Sequence, residues 1–350
     1  MKNDSGITRI AFPFAAGVAA AGIAGQAFTG ALCASAGVAV LTALCCRSRG
    51  RCTLAVGALF AVLGALCRWS SDIAGPPPEL RLPGSLLDPL ILGIDAAGFP
   101  GQNSEAIITA LLTGRRSGLP RTTVETFRRS GAAHILALSG MHLGVIYLFI
   151  GRLLSPIGNS PAARWTRGTA SICLCGLYTL ATGAGPSICR AFIFIVINEI
   201  RKACSGRRSS PLSTWCTAIT LQLALSPTII GSVGFQLSYA AMLGITLVYP
   251  VLESWYPPGP GLMGRIWKTA ALSISCQLFT APICWWHFRS LPGYFLIANI
   301  ISLPLSEAII ILALCCLLLE GAGLHPQALA TVCGRLVELL EKCLETVASM

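Results

Sequence analysis

The sequence predicts an all-α fold, a polytopic transmembrane helical bundle of about ten spans with an amphipathic helix at its C-terminal end. Three observations carry that prediction. Apolar residues make up 54% of the 350-residue chain and 36 further residues are Gly, whereas a soluble domain reaches ~45–50% on the combined count. Charged residues supply only 11%, against the ~25% that a water-facing surface uses. The apolar residues also fall into successive runs near the ~20 residues that a membrane-crossing helix needs.

The candidate spans, in order, are Ile10–Phe28, Gly30–Cys46, Thr53–Trp69, Ala132–Leu154, Gly168–Thr182, Pro186–Ile200, Ser213–Leu225, Ile229–Val251, Ile266–His287 and Tyr294–Leu319. Ile10 opens an apolar run that continues to Cys46, which reads as an anchor followed by a second span rather than a cleaved signal peptide. Pro304 lies inside the last span, where a missing hydrogen bond would kink the helix or divide it into two halves. Four regions follow: three N-terminal helices over 1–69, an extracytoplasmic linker and basic segment over 70–131, a helical core over 132–319, and a tail over 320–350. In the tail, Leu329, Val332, Leu336, Leu339, Leu340 and Val347 recur at near-helical spacing with charges between them. That pattern predicts an amphipathic helix lying on the membrane or pairing with another helix.

The chain carries 25 basic and 14 acidic residues, a net charge of +11. Such an excess marks cytoplasmic anchoring loops, a nucleic-acid surface, or both. Lys2 and Arg9, Arg47–Arg51, Arg152–Arg167, Arg201–Arg208 and Arg265–Lys268 alternate with the spans as cytoplasmic loops should. This places Ser70–Asn103 outside. One segment breaks the pattern: Arg115, Arg116, Arg121, Arg128 and Arg129 face a single acid, Glu125, on the outer side. Either an unrecognised crossing runs through Ala106–Leu112, or the outer surface is kept basic for an anionic partner.

Several chemistries find no support. None of the four Lys follows Gly, so a G-K-[ST] phosphate loop is missing, as are H-E-x-x-H and G-x-S-x-G. The 16 Cys sit mostly within apolar runs and form no C-x-x-C, which predicts small hydrophobes rather than a metal site. No catalytic residue, metal or cofactor is expected.

Phe127–Gly144 reads F-R-R-S-G-A-A-H-I-L-A-L-S-G-M-H-L-G. Gly185–Ala191 reads G-P-S-I-C-R-A. Ser226-Pro227 precedes V-G-F-Q-L-S-Y-A-A-M-L-G-I at Val233–Ile245, and Gln277–Pro282 and Ala298–Pro304 complete the set. In this order the elements resemble the ComEC-type competence protein family. The resemblance implies an inner-membrane channel that imports single-stranded DNA in natural transformation, driven by separate motor and DNA-uptake proteins. It covers about 114–319 only. Family members usually add an external OB-like domain and a metallo-β-lactamase-like domain. Ser70–Asn103, about 34 residues, is too short for a five-stranded barrel, and no nuclease step carries over.

Polar side chains at membrane depth are costly and face a cavity or a partner. Those available include Asn198, Glu199, Gln222 and Glu307. The expected conduit-lining set is His134, Ser139, His142, Arg190, Gln236, Gln277 and Asn299. On one helix His134 and His142 would lie about two turns apart and border one groove, or simply tie helices together. Gly140 and Gly144 form a small-x-x-x-small pair for close helix approach. Pro186 suits a first helical turn after the Gly183–Gly185 break, placing Arg190 one turn in, where helix N-terminus and guanidinium both favour phosphate. Snorkelling to headgroups would explain the same arginine. Gln236, Gln277 and Asn299 suit a polar conduit or interhelical hydrogen bonds. Arg115, Arg116 and Arg121 are expected to contact DNA phosphates. Sequence alone leaves three readings: a DNA channel, a small-molecule or lipid transporter on the same core, and a non-transporting assembly partner. A homo-oligomer is compatible with each.

Overall fold

The computed structural model describes residues 6–23, 49–74, 87–158, 160–205, 210–256, 261–289 and 294–349. Among these residues every regular element is helical. The expected span Gly30–Cys46 lies outside them.

Two helices, α1 (Gly6–Ile23) and α2 (Arg49–Ala74), open the fold. They cross closely because glycine sits at both contact points. A Cβ on Gly17 would fall 1.9 Å from the Ala61 carbonyl oxygen, and one on Gly64 would fall 2.2 Å from that of Phe14. Beyond the end of α2, the described residues of 70–131 form α3 (Asp88–Ala97), α4 (Ser104–Thr113) and α5 (Arg121–Arg129) rather than a plain linker. The 10-residue α4 is about 15 Å long, half of a ~30 Å hydrocarbon core. It does not cross by itself; Ile107, Ile108, Leu111 and Leu112 are fully buried in protein.

The expected span Ala132–Leu154 is broken. A short α6 (Ala133–Leu136) ends at Ala137, and α7 (Gly140–Leu153) starts after a Ser139 cap. His134 and His142 therefore sit on different helices, and the single-helix spacing predicted for them does not apply. Next come α8 (Pro161–Ala181), α9 (Pro186–Ser205), α10 (Pro211–Leu225), α11 (Val233–Leu247), α12 (Tyr249–Ser254) and α13 (Leu262–Phe288). Ser160-Pro161 and Ser210-Pro211 start α8 and α10 in the same way. Each serine hydroxyl accepts the N–H three residues on, at 3.1 and 3.3 Å, and proline takes the first position, whose N–H has no helical partner.

Pro304 does not divide the last long helix: α14 (Phe295–Gly321) runs through it unbroken. Among the described residues, five helical stretches are long and apolar enough to cross a membrane: Gly6–Ile23, Val56–Ile73, Gly140–Ile157, Val233–Ser254 and Phe295–Gly321. The helices α8, α9 and α13 match them in length but carry basic residues, and α10 has only 15 residues.

Helix packing forms a closed circuit. α7 packs on α9, α9 on α11, α11 on α13, α13 on α14, and α14 back on α7. Among the described residues, no pair facing across this circuit packs closely. The tightest seam is α11–α13, where a Cβ on Gly244 would lie 2.2 Å from the Ser275 carbonyl oxygen. Around the circuit, α8 covers α7 and α9, and α10 covers α9 and α11.

The tail helix, α15 (Gln327–Ala348), folds back along α14 and also covers α4 and α5. Its buried face is Ala330, Cys333, Gly334, Val337, Leu340, Leu344 and Val347, whereas Val332 and Leu339 are about half exposed. The sequence pattern had placed those two on the apolar face. Glu341 ties the tail down further, accepting from Asn103 Nδ2 at 3.0 Å and Thr123 Oγ1 at 3.4 Å. Cys333, Cys316, Cys216 and Cys175 are fully buried, and burial pushes the Cys333 thiol up to about 12. Leu340→Ala should cost ~2–5 kcal/mol, the range for buried leucines, read as a lowered melting temperature of the purified protein in detergent.

Candidate functional site

The break before α7 aims a histidine into the protein. The Ser139 backbone N–H donates to His142 Nδ1 at 3.1 Å. That bond makes Nδ1 an acceptor, so neutral His142 carries its proton on Nε2. His142 is fully buried, and its Nε2 has no hydrogen-bond partner.

A second donor comes from α9. The Gly183–Gly185 turn reverses the chain through two left-handed residues, Gly183 at φ 82° and Ala184 at φ 49°. The second is strained for a residue with a side chain. Pro186 then starts α9 and places Arg190 in its second turn. Arg190 is 4% exposed, so its guanidinium does not snorkel to the surface, and its Nε and Nη1 have no partner. Gly140 brings the two helix starts together: a Cβ there would sit 3.1 Å from that of Ala191. Gly144, its expected companion, has open space instead. Beyond Arg190, within electrostatic reach, lies Tyr239 of α11, whose hydroxyl donates to Gln222 Oε1 at 2.8 Å. Two helix N-termini, an imidazole N–H and a guanidinium thus offer donors and positive potential, with no carboxylate bonded to either side chain.

A cavity of about 530 Å³ lies between the α4–α5 and α8–α9 turns, bordered by Arg115, Gly114, Gly183 and Gly185. Leu138 and Ile188 also line it. The same two side chains pack with Leu143 in the cluster between α7 and α9, next to His142 and Arg190 in sequence.

The other predicted residues divide. Asn299 Oδ1 and Ser302 Oγ on α14, and Ser273 Oγ on α13, are buried without partners, so four helices of the closed circuit carry such groups. Ser139 caps α7. His134 is exposed on α6. Gln236 Nε2 donates to the Ile230 carbonyl at 3.1 Å, pinning the start of α11. Gln277 borders an apolar groove with Leu278, Pro282, Trp285 and Phe295. The predicted arginine patch is not uniform either. Arg115 pairs with Asp88 at 3.5 Å, and Arg116 Nε donates to the Leu136 carbonyl at 3.0 Å, satisfying the end of α6. Arg121 is exposed at the start of α5.

Sequence reading missed Tyr239, although it lies inside the V-G-F-Q-L-S-Y element. It also missed a three-residue cluster in which Lys202 Nζ donates to Glu199 Oε1 at 2.7 Å and to the Tyr147 hydroxyl at 2.6 Å. Tyr147 in turn donates to Glu199. The i,i+3 spacing of Glu199 and Lys202 was the available signal.

The Competence protein family model matches residues 111–350. The chain belongs to the competence protein family. It is 26% identical over 238 residues to ComE operon protein 3 of Bacillus subtilis (strain 168), covering 67% of this chain and 28% of that protein. To the uncharacterized protein YcaI of Escherichia coli (strain K12) it is also 26% identical, over 248 residues, or 67% of this chain and 32% of that one. The chain thus spans about a third or less of the curated relatives it matches. No solved structure matches it. The family match begins within α4, so α1, α2 and α3 lie outside it.

Proposed function

We propose that this competence family member is a multi-pass protein of the bacterial inner membrane, with about ten crossings, that conducts single-stranded DNA inward during natural transformation. On this reading it performs no catalysis itself. Separate motor and DNA-uptake proteins supply the drive, and a second copy of the chain is compatible with the arrangement. One observation carries the proposal: donor groups, His142 Nε2–H and the Nε and Nη1 of Arg190, are buried without partners on two helices of a closed circuit of five. A buried, unpaired cation is expensive, and a phosphodiester supplies the acceptors both groups lack. The relative named for the ComE operon supports a competence role.

The circuit also bounds the size of any passage. Five helices at interaxial distances of ~8–10 Å stand roughly 8 Å from their common centre. Side chains reach ~5–6 Å from each axis, leaving a gap too narrow for a nucleotide. On this reading, conduction requires the circuit to widen. The cavity beside Arg115 serves as the outer mouth, and Arg121, exposed at the start of α5, adds a phosphate contact.

The reading is tested by deleting the gene and following radiolabelled donor DNA: protected uptake should fall to background and return on complementation. Arg121→Gln should flatten the log–log salt dependence of oligonucleotide binding by about 0.7, the release from one phosphate on a single strand. That is less than the change of about two units expected had Arg115, Arg116 and Arg121 all been open to DNA. Arg116→Gln should mainly lower the melting temperature, because it orphans the Leu136 carbonyl.

A further inference from the structure

A second cavity, of about 450 Å³, lies between the end of α7, the start of α8 and the last turns of α9. Its volume falls in the ~300–1,000 Å³ range of small-ligand sites. Arg152, Arg164, Arg167 and Lys202 line it, with Glu199 as their acidic neighbour. Arg167 is held in place by donating to the Gly158 carbonyl at 2.9 Å. Arg164 and Arg167 stand in the first two turns of α8, where the helix dipole disfavours cations, so helix stability does not account for them. Glu199 is drawn in against α8 because Gly168 leaves room: a Cβ there would lie 3.2 Å from Glu199 Oε2.

The cavity's position selects the ligand. It opens where the apolar stretch Gly140–Ile157 ends, the depth at which lipid headgroups lie. Leu148, Leu153, Ile157 and Trp165 are 47–65% exposed around it. A tryptophan and bare aliphatic side chains beside clustered arginines are the pattern of a membrane boundary, and basic pockets between helices on the cytoplasmic side bind anionic headgroups.

We propose that the pocket between α7, α8 and α9 binds one anionic phospholipid with a hydroxylated headgroup, its phosphate on Arg152, Arg164 and Arg167 and its hydroxyls donating to Glu199. Acyl chains then lie over Leu148 and Leu153. The site is separate from the His142–Arg190 pair and stands whether or not the protein conducts DNA.

Purified full-length protein in neutral detergent, titrated with dioctanoyl-phosphatidylglycerol and followed by native mass spectrometry, should retain one lipid saturably. Phosphatidylcholine of the same chain length should bind at least tenfold more weakly. The double variant Arg164→Gln/Arg167→Gln should weaken phosphatidylglycerol at least tenfold, Arg152→Gln alone at least threefold, and Arg128→Gln, on distant α5, not at all. Glu199→Gln should lower the preference for phosphatidylglycerol over the methyl ester of phosphatidic acid, which carries the same charge but lacks headgroup hydroxyls. If the double variant does not fold, the Arg152→Gln and Glu199→Gln results decide. Equal retention of phosphatidylcholine, or unchanged binding in the arginine variants, would overturn the site. Competition by free glycerol phosphate as strong as by the lipid would overturn its assignment to lipid. Displacement by a short oligothymidylate at similar concentration would reassign the pocket to DNA.

Discussion

Arg190→Ala should leave the protein at wild-type abundance in membrane fractions and, on the proposed function, lower uptake of labelled DNA about a hundredfold or more. Both halves follow from the same geometry. Nε and Nη1 of Arg190 bond nothing inside the protein, so truncation strands no internal acceptor and removes a costly buried charge. Folding therefore does not suffer. A phosphate passing this point, as proposed, would lose charge-assisted hydrogen bonds worth ~1.5–3 kcal/mol each, and two of them amount to roughly that factor. Arg190→Lys recovers only part of the activity, because an ammonium keeps the charge without the planar fork. Immunoblots of membrane fractions beside a transformation assay separate the two quantities. If Arg190 were structural, the alanine variant would instead be lost from the membrane.

Gly244→Ala tests the circuit rather than its polar groups. The new Cβ would stand 2.2 Å from the Ser275 carbonyl oxygen and 3.0 Å from Phe279 Cδ2, so α11 and α13 must separate. Overpacking of this kind costs ~1–3 kcal/mol. The melting temperature in detergent should drop by several degrees, and uptake should fall with it. Gly234, on the same helix, faces open space; Gly234→Ala should leave both properties near wild type.

Much of this architecture was legible in the sequence, and the reasons differ element by element. Composition predicts apolar helices, and the long stretches in α1, α2, α11 and α14 stand out as continuous apolar runs. Glycine and proline marked the α8–α9 break, which located Arg190 correctly. The break at Ala137–Ser139 was not legible. Its residues are apolar or small and continue an apolar run, while the cap that stops α6 and starts α7 depends on the His142 side chain turning back to a backbone N–H. The helices α3, α4 and α5 give no span-length signal because each is short, and they pack on α14 and α15, far along the chain. The same distance explains the tail. Periodicity gave α15 a face but could not say that α14 would cover it, nor that Val332 and Leu339 would stay half exposed. Of the predicted site, Arg190, His142 and Asn299 keep unpartnered polar atoms, whereas Gln236 spends its amide on Ile230. No spacing rule separates those two outcomes.

On the proposed function, DNA passes within the circuit formed by α7, α9, α11, α13 and α14. Site-specific photo-crosslinking during uptake tests it most directly. A photoreactive amino acid replaces Asn299, whose Oδ1 is buried on α14, or Leu278, 60% exposed on α13. With labelled donor DNA arrested in transit, the probe at position 299 should capture DNA and the probe at 278 should capture only lipid. DNA captured at 278 and not at 299, in cells that still take it up, would mean that the strand travels outside the circuit.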